Sequence, residues 1–325
     1  MEPPAKVPTE VLARQVRRLH SIPDGVPFEE LREPLRTYVS YAMSTIERGR
    51  WALEELVPHG LRPGFRFLDA GCAYGGYLAA AVELGASEVV GVELKAKYLE
   101  IAADLLASTG TPARLVQGRL EDGPLLAGLG RFDVITCADV IEHVDDVEAA
   151  LGNLCRALAS GGLLYLAVPN AWCPTCVLRD PHFQLFGITL LPPDEARIYS
   201  RAVTGSDYYD VGEFLSLDRY RQIMRRHGVA SELVNSPGDL GRGAAELMAE
   251  IDRLAAAAEG FADERLPPEL VAKVRGGALA VVRDARAAVA ATERRSWWPW
   301  RGRGDLRAVL DRYAVPTWHL LGRRA

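Results

Sequence analysis

The chain has 325 residues, 49% of them hydrophobic and 25% charged, with a formal net charge of −5. That is ordinary globular composition, with room for one large domain or two small ones, and it argues against broad nonspecific nucleic-acid binding, though not against a local basic groove. No apolar run is long enough to span a bilayer, Met1 to Lys6 lack a signal-peptide pattern, and five cysteines suit a reducing compartment, so the expected location is cytoplasmic.

In chain order, Glu10 to His20 reads as a helix, followed by a break at Pro23, Gly25 and Pro27. Phe28 to Val57 is helical with an interruption near Pro34, and carries Tyr38, Tyr41 and Trp51. Residues 1–58 are therefore expected to form a helical unit. Strands are predicted near 65–69, 88–93, 113–117, 132–137, 163–168 and 229–235, with a last one near 316–322. Helices are predicted near 76–85, 95–108, 146–159 and 217–227. Asp145 or Asp146 would cap the third of these, with Glu148 favouring its positive end. This alternation predicts an α/β fold: a Rossmann-like, seven-stranded, mostly parallel sheet with helices on both faces. The core spans 59–235, with the last strand in 313–325.

The first strand ends in Asp69 and runs into Gly71-Cys72-Ala73-Tyr74-Gly75-Gly76, a strand–turn–helix unit whose backbone amides are expected to face a ligand. An acid two residues before the first glycine disfavours a pyrophosphate, and Ala73 breaks the G-x-G-x-x-G spacing. A ligand carrying an ammonium and a sulfonium is instead attracted, and S-adenosylmethionine fits. Glu93 ends the next strand about twenty residues on, where such folds place a carboxylate for ribose hydroxyls.

These segments resemble the class I S-adenosylmethionine-dependent methyltransferases. Asp69-x-Gly71-x-Ala73-x-Gly75 matches that family's first motif with one substitution, and Glu93 its second. Phe132 to Val144 and Gly161 to Asn170 match two more. The resemblance covers roughly 60–235 plus the C-terminal strand. It implies cofactor binding by Asp69, Gly71, Cys72, Gly75, Glu93, Leu94, Leu120, Glu121 and Asp139. It also implies that residues 1–58 form a helical lid; the alternative for each aromatic there is plain packing against the sheet. Arg119 replaces the usual acid after Gly118, so the Leu120 backbone or Glu121 must substitute. The last strand would insert antiparallel beside the sixth.

Asp139-Val140-Ile141-Glu142-His143 follows the fourth strand. If this turn is helical, positions i, i+3 and i+4 share a face, and two carboxylates and an imidazole converge in a set suited to Mg²⁺ or another divalent cation. The run resembles the E-x-x-E-H motif of ubiquinone-biosynthesis O-methyltransferases and that of small-RNA terminal 2′-O-methyltransferases. The latter add a further histidine, here His182. Three readings stand: a metal site of Asp139, Glu142, His143 and His182; His143 with Glu142 as catalytic residues without metal; or a structural turn. His20, His59, His227 and His319 are assigned surface or structural roles.

Two insertions interrupt the core. Residues 170–215, rich in proline, tyrosine and acids (Asp180-Pro181-His182-Phe183, Asp207-Tyr208-Tyr209-Asp210), leave the ligand edge of the sheet and are expected to form a substrate lid. Residues 236–312 read as an antiparallel helical pair over 244–260 and 268–294. Trp297, Trp298 and Trp300 among arginines suggest contact with a membrane surface or a protein, or a cap on the insertion. Cys173 and Cys176 form one CxxC without the second pair that tetrahedral zinc requires.

The resulting expectation is an O-methyltransferase acting on a hydroxyl of a sugar, glycan or other hydroxylated small metabolite. Three alternatives remain open: N-methylation of a small-molecule or sugar amine, terminal 2′-O-methylation of RNA, and a methyltransferase-like scaffold working through its helical insertion. Oligomeric state is undetermined.

Overall fold

The computed structural model describes residues 9–33, 35–237, 243–295 and 302–325. In chain order the strands are β1 (Arg66–Ala70), β2 (Glu88–Glu93), β3 (Arg114–Gln117), β4 (Phe132–Ala138), β5 (Leu158–Pro169), β6 (Val229–Leu233) and β7 (Thr317–Arg324). They form one sheet in the order β3-β2-β1-β4-β5-β7-β6, parallel except for β7, which runs antiparallel to both neighbours. Each strand predicted from the sequence is present, and the last one lies where the motif resemblance placed it.

The helices are α1 (Thr9–His20), α2 (Leu35–Met43), α3 (Thr45–Glu54), α4 (Gly76–Glu83), α5 (Ala96–Ser108), α6 (Gly123–Gly128), α7 (Val147–Ala157), α8 (Pro174–Leu178), α9 (Pro193–Thr204), α10 (Leu217–Arg226), α11 (Ala244–Gly260), α12 (Pro268–Arg295) and α13 (Gly302–Tyr313). The helical stretch expected over 28–57 has a further break between α2 and α3 at Ser44; Pro34 lies outside the described residues. Asp146, not Asp145, caps α7 by accepting from Ala149 N at 2.9 Å. That helix stops at Ala157 because β5 begins at Leu158, earlier than expected.

Strand periodicity divides the core. Leu68, Ala70, Ile135, Cys137, Leu164 and Leu166 face one way, onto α6, α7 and α10. Phe67, Val134, Leu163 and Tyr165 face the other, onto α1 to α5. Both faces are covered, so the central strands read as near-continuous apolar runs rather than as alternation.

The two insertions do not stand apart. Phe183, Ile188, Tyr199, Tyr209 and Val211 from 170–215 share one apolar cluster with Leu266, Leu270 and Val274. A second cluster joins Val177 to Leu247, Ile251, Val281 and Leu310. The expected helical pair is a set of three, since α13 packs with α11 and α12 before the chain re-enters the sheet. Trp297, Trp298 and Trp300 lie outside the described residues. Among the described residues, no helix is long and apolar enough to cross a membrane.

Asn170 ties the end of β5 to the chain entering β7. Fully buried, it donates to Arg312 O and Val315 O at 2.8 Å each and accepts from Trp172 N at 3.0 Å. Asn170→Ala leaves these backbone groups unpartnered and is expected to cost about 2–4 kcal/mol, read as a lowered urea midpoint at constant m-value.

Candidate active site

The parallel strands deliver their C-terminal ends to one edge, where α/β sheets bind ligands. Asp69 is the next-to-last residue of β1, and register sets it directly beside Thr136 of β4. Both side chains are buried, and Thr136 Oγ1 donates to Asp69 Oδ1 at 2.7 Å. Burial raises the Asp69 carboxyl to about 7 against the opposing pull of Thr136 and Arg48.

The glycine turn folds tightly against β2. Gly71 has φ +87°, and a Cβ there would lie 2.4 Å from a Val140 methyl, so only glycine fits. Ala73 adopts φ +39°, keeping the left-handed backbone without a glycine. The amides expected to face a ligand are largely committed inside the turn. Gly71 N and Cys72 N donate to Val92 O at 2.8 and 3.0 Å, Gly75 N to Cys72 O at 2.7 Å, and Ala73 N to Glu93 Oε2 at 3.2 Å. The reason is crossover: the turn passes over the end of β2 and uses its carbonyl. Cys72 points inward, its side chain buried where a Cβ at Gly91 would press on its sulfur.

Glu93 bridges two backbones, since its Oε1 also accepts from Lys95 N at 2.8 Å. Leu94 beside it is exposed. Leu120 belongs to the core and its carbonyl accepts from Asn153 Nδ2 at 2.9 Å. Glu121 accepts from Asp145 N at 2.9 Å and pairs with Arg119, which also reaches Asp145. Arg119 therefore organises the neighbouring loop.

After β4 the chain does not form the single helical turn expected over 139–143. Asp139 has φ +55°, and a short 3-10 turn starts only at Ile141 (Ile141–His143). Asp139 is thereby aimed at α2 and α3: its Oδ2 accepts from Tyr41 Oη at 2.6 Å and lies 3.8 Å from Arg48. The Arg48 guanidinium stacks over Tyr41, 3.3 Å from the ring centre, and its Nε is buried without a hydrogen-bond partner. Burial and the Glu142 charge raise the Asp139 carboxyl, while Tyr41, Arg48 and His182 pull it down.

Glu142, His143 and His182 do converge. Their ligand atoms lie within 4.8 Å of one another, the one such group of three among the described residues. Asp139 is not part of it, a correction to the four-residue set, because its left-handed backbone turns the carboxylate toward Tyr41. Glu142 is fully buried and neither oxygen has a hydrogen bond; the nearest cation is His182 Nε2 at 3.6 Å. Burial lowers the His182 imidazole, but Asp180 and Glu142 outweigh it and hold the group at about 10. Asp180 builds the local turn by accepting from His182 N at 2.8 Å and from Phe183 N at 2.9 Å. His143 Nδ1 lies 2.8 Å from Asp210 O. A carbonyl only accepts, so Nδ1 carries the proton and Nε2 keeps its lone pair.

His319, assigned a surface or structural role from the sequence, is partly buried against Trp51 and Tyr165, and burial lowers its imidazole to about 4. Cys173 and Cys176 are buried free thiols. Lys95, Asp180 and Arg48 contribute to the site without any sequence motif marking them, and Asp210 was visible only as one acid of a polar run.

Residues 29–232 match the sequence profile of the family described as "Methyltransferase domain". A ubiquinone biosynthesis O-methyltransferase of Rhizobium rhizogenes is 36% identical over 116 residues, 35% of this chain and 45% of that protein. Another, from Chromobacterium violaceum, is 32% identical over 190 residues, 55% of this chain and 71% of that protein. The chain thus spans less than half of the first relative's length. The solved YcgJ protein of Bacillus subtilis overlaps 86% of this chain and 98% of its own at 16% identity and a TM-score of 0.45; at that score the strand order defines the fold.

Asp69 gives a pH signature. Its folded pKa of about 7 exceeds the unfolded value near 4, so the native state retains a proton that the unfolded chain releases, and stability falls as pH rises between those values. Asp69→Asn cannot ionise. Its stability relative to wild type should climb from pH 4 to 7, by up to about 4 kcal/mol, and stay flat above. Urea melts across that range measure this; a difference independent of pH contradicts it.

Proposed function

The chain belongs to the class I S-adenosylmethionine-dependent methyltransferases, and from that premise we propose that it transfers a methyl group from S-adenosylmethionine to a hydroxyl of a small hydroxylated acceptor. One observation carries the acceptor half of this reading. His143 presents a lone pair at Nε2 beside a buried carboxylate, Glu142, that lacks any hydrogen bond. A neutral hydroxyl is a weak nucleophile and needs a proton acceptor or a bound cation, whereas the sulfonium methyl is already activated.

On the donor side, burial disfavours the ionised form of Asp69 in the protein alone, and a cationic ligand would supply the counter-charge that favours it. Glu93 offers its remaining lone pairs to the ribose hydroxyls. Arg48, with its unpartnered Nε, suits the carboxylate of the methionine end.

The acceptor-side trio also fits a divalent cation. Glu142 is a buried carboxylate with no hydrogen bond and only the His182 imidazolium at 3.6 Å, whose Nε2 proton a bound cation would displace, and one carboxylate with two imidazoles is a ligand set that leaves coordination positions open. Glu142, His143 and His182 would hold the ion, which when bound supplies Lewis-acid stabilisation of a developing oxyanion. Asp180 would orient His182 and Asp210 would orient His143, as carbonyls and carboxylates behind metal-bound histidines do. An acceptor with two adjacent oxygens suits such a site; sugars and catechols both meet that requirement. The names of the O-methyltransferase relatives favour oxygen over nitrogen as the acceptor atom.

Three experiments test the reading. Glu93→Ala should raise the Kd for S-adenosylhomocysteine roughly a hundredfold in calorimetry, and unchanged affinity would remove Glu93 from the ribose role. Equilibrium dialysis with Mn²⁺ should give one ion per chain, abolished in Glu142→Gln. Turnover on a panel of catechols, sugars and amino sugars should then be lost with EDTA for hydroxyl acceptors. Turnover of amines alone, indifferent to EDTA, is the outcome that favours N-methylation.

A further inference from the structure

The segment 208–212 connects two parts of the site that the sheet holds apart. In the strand order, β2 and β4 flank β1. Lys95, just beyond β2, donates from Nζ to Tyr208 Oη at 3.1 Å and to Asp210 Oδ2 at 3.2 Å. Tyr208 Oη also donates to Asp210. Just beyond β4, His143 Nδ1 meets Asp210 O at 2.8 Å, and Gly212 N donates to Glu142 O at 2.6 Å. The segment therefore straps across the C-terminal end of β1, above the glycine turn. The Lys95 amide is in turn held by Glu93 Oε1. One continuous series of contacts runs from the carboxylate at the cofactor edge to the imidazole at the acceptor edge.

We infer that Lys95 is a positioning residue: by anchoring the Asp210 carboxylate it orients the Asp210 carbonyl, and that carbonyl holds His143 in the tautomer with its lone pair on Nε2. The inference rests on His143 being the acceptor-side base or ligand proposed above. Lys95 and Tyr208 hold the Asp210 carboxylate by hydrogen bonds, and His143 Nδ1 lies 3.8 Å from its Oδ1. Burial lowers the Lys95 ammonium, but Tyr208 and Asp210 outweigh this and raise it, so the anchor is charged at neutral pH. The pair is about a third exposed and adds little to global stability. Its effect is on geometry: without it the Asp210 side chain no longer restrains the peptide plane, and the Nε2–H tautomer gains population.

The test is the ring ¹⁵N spectrum of His143, assigned by its absence in His143→Gln, on the full chain without added ligand. Wild type should show the Nδ1–H tautomer almost alone. Lys95→Met should shift the ratio about tenfold toward Nε2–H, a change of roughly one factor of ten in the equilibrium constant, and Lys95→Arg should restore it. An unchanged ratio in Lys95→Met overturns the inference, as does a failure of Lys95→Arg to restore it in a variant whose thermal midpoint matches wild type. S-adenosylhomocysteine titration of wild type separates the two levels: absence of binding there defeats the methyltransferase reading, while the tautomer ratio still decides the role of Lys95.

Discussion

Buried negative charge at the C-terminal edge of the sheet is the constraint on which the site depends. Asp69, Glu142 and Asp180 are each almost wholly removed from solvent, and Asp139 sits among them. Carboxylates gathered this way are tolerated only where hydrogen bonds or cations answer them. The protein answers each differently. Asp69 takes a threonine hydroxyl supplied by strand register, Asp139 takes Tyr41 of α2 and Arg48 of α3, and Asp180 takes three backbone amides of its own turn. Glu142 is left with His182 at 3.6 Å and no hydrogen bond at all. The unmet demand is concentrated at two places, the Asp69 end and the Glu142 end, and these are where a cationic donor and an acceptor-side cation are proposed to sit.

The insertions supply what the sheet alone lacks. His182 and Asp210 both come from 170–215, and that segment is held by apolar packing on α12 and its approach. The helical insertion thereby supports the acceptor side from behind. Tyr38 of α2 completes the arrangement by donating to His182 O at 2.9 Å, which joins the N-terminal helices to the same histidine. Rigid strands place Asp69 and Glu93, the short turn after β4 places Glu142 and His143, and loops clamped from two directions place His182 and Asp210. This division lets one fold bind a constant cofactor while the acceptor pocket varies.

The fold was legible because its signals are local and repeated. Each strand carries a short apolar run such as Phe67-Leu68 or Val89-Val90, and each βα turn carries its own glycine or acid. Glu93 at the end of β2 and the glycine at position 71 follow from spacing alone. The turn at 139–143 was not legible, because helical spacing in the sequence does not reveal a left-handed residue at its start. Asp139 adopts that conformation where Gly71 packs against Val140 and where Asp139 N donates to Ala167 O at 3.0 Å, contacts made across strands far apart in the chain. The commitment of the turn amides to Val92 was hidden for the same reason.

What the sequence determined by itself was the order of strands and helices, the cofactor-side acids and the run Glu142-His143, since all of these are set by hydrophobic period and by residues a few positions apart. What only the tertiary structure decided was partnership. It gave His182, but not Asp139, to Glu142, it set Tyr41 and Arg48 on Asp139, and it placed Lys95 and Asp210 behind His143. Partnership depends on which side chains of distant segments are brought within about 3 Å at a usable angle, and no periodicity along the chain encodes that distance.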